Sequence, residues 1–185
     1  MTERLENVLA AIDAANVVDP SSRALLYGRR MSVTLEAFMP GASDILKIAA
    51  RAQHIERWLM PRDSYPEGRI AYLTWRKDLQ KHHARRAGEL MAAAGYGPDE
   101  IARVGSLLKK ERLKQDEEVQ ALEDVICLVF LAHEAPDFIA KHDDAKVRDI
   151  LQKTARKMSA RGLAAAAALA LDGRLGRLLG EALAT

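Results

Sequence analysis

Residues 116–132 read Asp116-Glu117-Glu118-Val119-Gln120-Ala121-Leu122-Glu123-Asp124-Val125-Ile126-Cys127-Leu128-Val129-Phe130-Leu131-Ala132, and this stretch decides the fold. It opens acidic and becomes apolar from Val125 to Leu131. Acids in a first turn complement the positive end of the helix dipole. A helix that is apolar on every side has to be buried on every side. The run is also too short to span a bilayer, which takes roughly 20 apolar residues. The stretch predicts the central, fully buried helix of an all-α protein.

Helical patterns continue in both directions from it. Glu3 to Val17 places Leu5, Val8, Leu9, Ile12 and Ala15 on one stripe. Asp19-Pro20-Ser21-Ser22 breaks that helix and caps a second, Arg23 to Phe38, closed by Pro40-Gly41. Ser43 caps a third, from Asp44 to about Met60, with Ile45, Ile48, Ala49, Ala52 and Ile55 inward. Pro61 to Gly68 is a loop with two prolines and a glycine. A long helix from Arg69 to Ala94 ends at Gly95-Tyr96-Gly97-Pro98, where glycine stops one helix and proline starts another, Pro98 to about Arg112. Helices near Ala145–Met158 and Leu163–Leu169 follow. The tail from Gly173 reads as one short helix or a frayed end. No repeat or strand pattern interrupts the series. The expectation is a compact helical bundle forming a single domain over residues 1–185.

Composition agrees with that class. The 185 residues are 49% hydrophobic, 29% charged and 5% aromatic, an alanine- and leucine-rich balance that favours helices over a sandwich or barrel. A net charge of +2 does not indicate nucleic-acid binding. One cysteine, Cys127, excludes an intramolecular disulfide and fits a reducing compartment. The first residues carry acids and no long apolar stretch, unlike a signal peptide. A cytoplasmic protein without membrane association is expected. The alanine-rich Leu163–Leu171 segment either buries itself internally or forms a homodimer contact.

Three polar residues stand where helical periodicity calls for apolar ones: His54, His83 and Asp124. His83 shares a face with Leu79, Ala87 and Leu90, whereas His82 falls on a wetter side with Trp75, Arg86 and Glu89. Continuous helix would place Trp58 over His54 at i+4, with Arg51 and Arg57 at i±3. Asp124 leads the apolar run and needs a metal, an arginine such as Arg51 or Arg57, or backbone donors to be tolerated. Glu123, about 100° away on the helix wheel, is expected to be solvated or paired. Two imidazoles and a carboxylate suit a divalent ion such as Mn, Fe, Co, Ni or Zn. The same residues also suit a buried hydrogen-bonded network with no metal. Glu56 or Glu118 is then a candidate general base or extra ligand.

Around the Pro61–Gly68 loop, Arg57, Arg62, Arg69, Arg76 and Lys77 concentrate positive charge, and Tyr65, Tyr72 and Trp75 offer rings for stacking or for packing the loop. Arg57, Arg62 and Arg76, with Trp75 and Tyr65, are the candidate contacts for a small anionic or phosphorylated ligand. Asp143 or Asp144, beside His142, is placed to cap the next helix, and Asp116-Glu117-Glu118 reads as a charged first turn.

The chain resembles an uncharacterised family, the domain of unknown function 4202. The segments that carry the resemblance are Leu26 to Ser32, Arg51 to Trp58, Pro61-Arg62 with Tyr65-Pro66, Trp75-Arg76, His83-Ala84, Leu122 to Val125 through Phe130-Leu131, Lys141 to Asp143, and Lys157 to Ser159. That family supplies boundaries but no activity. A second pattern, one His, then another on a later helix, then a late Asp, is similar to the HD-type metal-dependent phosphohydrolases. In that likeness His54 takes the place of the first His, His83 the His of the pair, and Asp124 the last Asp. Ala84 stands where the paired Asp belongs, which leaves one weakly held metal, a substitute ligand in Glu56 or Glu118, or no metal. The resemblance implies an HD-like phosphohydrolase acting on a small phosphorylated or nucleotide substrate. The alternative is a non-catalytic helical binding module with a structural His/Asp network.

Overall fold

A computed structural model describes residues 2–171 and 173–183. Among these residues the protein is all-helical, with ten α-helices, 3-10 turns at Arg57–Leu59 and Arg62–Ser64, one π turn at Phe130–Glu134, and no strand. The backbone contacts gather into two compact units, residues 1–111 and 112–185. No helix among the described residues is long and apolar enough to cross a membrane.

The first unit holds α1 (Glu3–Val17), α2 (Arg23–Phe38), α3 (Asp44–Arg51), α4 (Arg69–Ala93) and α5 (Pro98–Lys109). Thr2 caps α1 by accepting from the Leu5 amide, and Ser43 caps α3 by accepting from Leu46. Asp19 rather than Ser22 secures the entry to α2: its carboxylate accepts from the Ala24 and Ser21 amides, while Ser22 is left-handed and makes no cap. Helix α4 lies along α5, α3 packs on α2 and α5, and α1 touches α2, α3 and α4. Leu5, Ile12, Met31, Leu35, Leu46, Ile48, Ile55, Met91, Leu107 and Leu108 fill the interior. Fully burying each such side chain stabilises by about 1.5–3 kcal/mol. Helices α2 and α3 come close because Gly28 has no side chain; a Cβ there would stand 2.9 Å from the Arg51 carbonyl oxygen.

The third helix is shorter than its periodicity predicts. It stops at Arg51, not near Met60, and residues 52–56 are turns. The break is fixed from outside the segment. The Glu56 amide donates to Asn16 Oδ1 at 3.0 Å instead of to a helical carbonyl, and Glu56 takes a left-handed conformation with φ 51°. Trp58 therefore does not stack over His54 as the i+4 partner of a continuous helix.

The second unit holds α6 (Glu117–Val129), α7 (Ala135–Ile139), α8 (Asp144–Ala155), α9 (Ala160–Ala167) and α10 (Gly173–Leu183). Helix α6 is buried on nearly every side, through Val119, Ala121, Leu122, Val125, Cys127, Leu128 and Val129, as the opening stretch predicts. Glu123 is buried with them and is not without a partner, the paired one of its two expected states. Pro136 has no amide hydrogen for the Ala132 carbonyl, so the ladder slips by one residue and Phe130–Glu134 becomes a π turn leading into α7. Asp116 caps α6 and Asp143 caps α8. Helix α6 packs on α9, and α10 packs on α7, α8 and α9. The tail is helical from Gly173 to Leu183; Ala184 and Thr185 lie outside the described residues.

Candidate functional site

In the first unit, chain turns and helix faces bring His54 and His83 together. His54 sits in the turn after α3, and the stacked Tyr27 ring of α2 lies 3.6 Å away, centre to centre, at 18°. The His83 ring of α4 is 6.2 Å away at 46°. Arg57 Nη1 is 3.3 Å from His54 Nε2. A guanidinium only donates, so Nε2 is the acceptor and the proton of the neutral ring belongs on Nδ1.

Both imidazoles are held neutral. Burial lowers the His54 pKa well below its ordinary value, and Arg57, His83, Lys110 and Arg76 push it the same way. Burial lowers His83 to about 3, with further contributions from His82 and Arg57. His83 is 3% exposed, and its Nε2 has no hydrogen-bond partner in the protein. The outer side of the cluster differs. His82 Nε2 stands 3.7 Å from Glu56 Oε2, and that carboxylate also takes two bonds from Arg86, Nε at 2.7 Å and Nη2 at 2.9 Å.

The arginines and rings of the loop are placed unequally. The Arg57 guanidinium lies 4.8 Å above the Trp75 ring. Trp75 itself is buried, with Nε1 donating to the Met60 carbonyl at 2.8 Å. It therefore holds Arg57 and presents no open face to a ligand, contrary to the substrate-stacking role its sequence position suggested. Arg62 Nη1 donates to the Tyr65 carbonyl at 3.0 Å, and the Tyr65 hydroxyl donates to Asp78 at 3.2 Å, so these two brace the loop. Arg76 Nη1 donates to the Tyr72 hydroxyl at 3.2 Å from an exposed position.

Asp124 belongs to the second unit and has other partners. Its Oδ1 accepts from the Ser159 amide at 2.8 Å and from Gln120 Nε2 at 3.1 Å, and its Oδ2 accepts from the Ser159 hydroxyl at 2.5 Å. Gly162 lies against the same carboxylate so closely that a Cβ would overlap it. Neither Arg51 nor Arg57 is its partner among these bonds; Arg51 instead makes a two-pronged contact with Asp13, at 2.7 and 2.6 Å. Glu118 sits in the first turn of α6, its amide donating to Asp116. Among the described residues, no group of three or more His, Cys, Asp or Glu side chains is arranged to hold a metal ion. The donor set read from sequence thus fits a metal poorly: the Asp124 carboxylate is committed to Ser159, and that of Glu56 to Arg86.

Sequence reasoning missed Tyr27, Lys110, Arg86 and the inward share of His82. No local pattern marks Tyr27 or Lys110, because each meets the cluster through the tertiary fold, whereas Arg86 lies at i+4 from His82 on the same helix. The His82-His83 doublet was the available signal, and the helix wheel alone placed His82 too far outside.

Over residues 6–179 the chain matches the family described as a domain of unknown function, DUF4202. That match covers nearly the whole sequence, and the chain belongs to this family. No curated protein and no solved structure matches it.

Proposed function

For this DUF4202 member, we propose a helical binding module that takes a small phosphorylated anion at His54, His83, Arg57 and Arg76. One observation carries the reading. The charged and aromatic groups that depress the His54–His83 pair are all cationic or imidazole, and the buried His83 Nε2 has no protein partner. A phosphate would supply both missing elements: negative charge beside Arg57 and Arg76, and an oxygen to accept from Nε2–H. His54 keeps partial exposure, which leaves a route to the pair. The single cysteine, Cys127, is buried and forms no disulfide, and a reducing cytoplasm is the compartment we assign.

Arg57 covers Trp75, so Trp75 emission reports on the site. In a Trp58→Phe background, titration with inorganic phosphate and pyrophosphate is expected to change that emission, and Arg57→Ala to weaken binding by about tenfold or more. Unchanged emission and unchanged melting temperature across millimolar ligand would overturn the reading.

A metal-dependent phosphohydrolase is the second reading, favoured by the neutral state of both imidazoles, which is the form that ligates. A bound Mn, Fe, Co, Ni or Zn ion would supply a hydroxide nucleophile at neutral pH. Elemental analysis of tag-free protein separates the two. Near-stoichiometric metal lost in both His54→Ala and His83→Ala supports the enzyme. Protein that retains no metal, and takes none up when these ions are added, leaves the anion-binding module.

A further inference from the structure

The first two turns of α4 present a face with no cover. Ile70 is 83% exposed and Leu73 is 48% exposed. At 100° per residue these two share the solvent side with Lys77, opposite buried Trp75 and Leu79. Arg69 and Arg76 run along one edge of this ridge. Beside it lies an open groove of about 450 Å3 whose wall includes Tyr65, Pro66, Ile70 and Ala71 together with the oppositely charged Glu67 and Arg69. Arg69 and Lys77 are paired with no carboxylate among the described residues.

We propose that this face docks an acidic amphipathic segment of a partner protein. The groove would receive one of its apolar side chains, the Ile70–Leu73 ridge would pack on its apolar stripe, and its carboxylates would meet Arg69 and Lys77. Charge complementarity selects this occupant. A second copy of the chain, docked face to face, would bring the same unpaired cations together. A bilayer surface is flat and does not fill a groove. The site is separate from the histidine pair, so its test stands apart from the phosphate titration.

The probe is a fluorescein-labelled helical peptide with leucines at i, i+3, i+4 and i+7 and glutamates elsewhere; the control carries lysines in place of the glutamates. Anisotropy with the full chain is expected to show the glutamate peptide binding about tenfold more tightly than the lysine peptide, and weakening as salt rises. The paired variants Ile70→Asp/Leu73→Asp and Arg69→Glu/Lys77→Glu are each expected to lose about tenfold in affinity. Val33→Asp, at another exposed apolar position, is expected to bind like the parent. Circular dichroism checks that every variant is folded. Absence of binding, or binding indifferent to the Ile70/Leu73 pair, overturns the proposal. So does loss of binding to phosphatidylcholine–phosphatidylserine vesicles, instead of to the peptide, in the same variants, an outcome that marks a membrane face.

Discussion

The Tyr27 ring covers the His54 imidazole at 3.6 Å, nearly parallel, and closes one side of the histidine pair to water. Two side chains from different elements thereby set the protonation state of the site. Burial is the largest cause of the low His54 pKa, so removing the cover must raise it. Tyr27→Ala is expected to move the His54 pKa up towards its ordinary value, followed by imidazole NMR across pH, whereas Tyr27→Phe keeps the stack and leaves it low.

Stability should fall on mild acidification. His83 titrates near 3 in the fold and His54 also lies well below its ordinary value, while in the unfolded chain both return to about 6.5. Below that value the unfolded state binds protons that the fold refuses. The contribution is therefore fully present above pH 6.5 and is lost as pH falls towards 3. Each histidine steepens the loss by at most about 1.4 kcal/mol per pH unit. Urea unfolding between pH 7 and 5, above the range of the carboxylates, is expected to show this slope reduced in His83→Gln.

Asp124 should behave as a structural residue. Asp124→Ala strands the Ser159 amide and hydroxyl, a loss of about 3 kcal/mol by denaturant titration, with no change in whatever metal the protein carries. Gly162→Ala drives a Cβ into the same carboxylate and is expected to cost a comparable amount.

Two other glycines should respond in opposite directions. Gly28→Ala places a methyl against the Arg51 backbone carbonyl, which cannot swing aside, and is expected to destabilise by about 2 kcal/mol. Gly180 in α10 has open space where a Cβ would go, so Gly180→Ala is expected to raise stability by up to about 1 kcal/mol. Thermal melts of the pair check both signs.

What was legible in the sequence follows from which forces are local. Helices α1 and α2 begin and end where apolar periodicity and caps predict, and α4 ends within a residue of its expected boundary, because those signals sit within a few residues of each other. The break after Arg51 was not legible: it depends on Asn16, 40 positions upstream. The inward placement of His83 followed from its helix face, and its meeting with His54 survives even though His54 left the helix that suggested it. Asp124 was rightly read as a carboxylate needing partners, but Ser159 lies 35 positions away and no spacing rule links the two.

That distant partner has a consequence for the order in which the second unit assembles. Helix α9 has eight residues, and an isolated helix of that length is marginal in water. Its cap is a relay: the Gly162 amide donates to the Ser159 hydroxyl at 3.0 Å, and that hydroxyl donates onward to Asp124 of α6. Helix α9 is thus completed by a carboxylate that is in place only once α6 has formed and packed. Hydrogen exchange at the Gly162 amide becomes a clock for that event, protected only after the two segments have met.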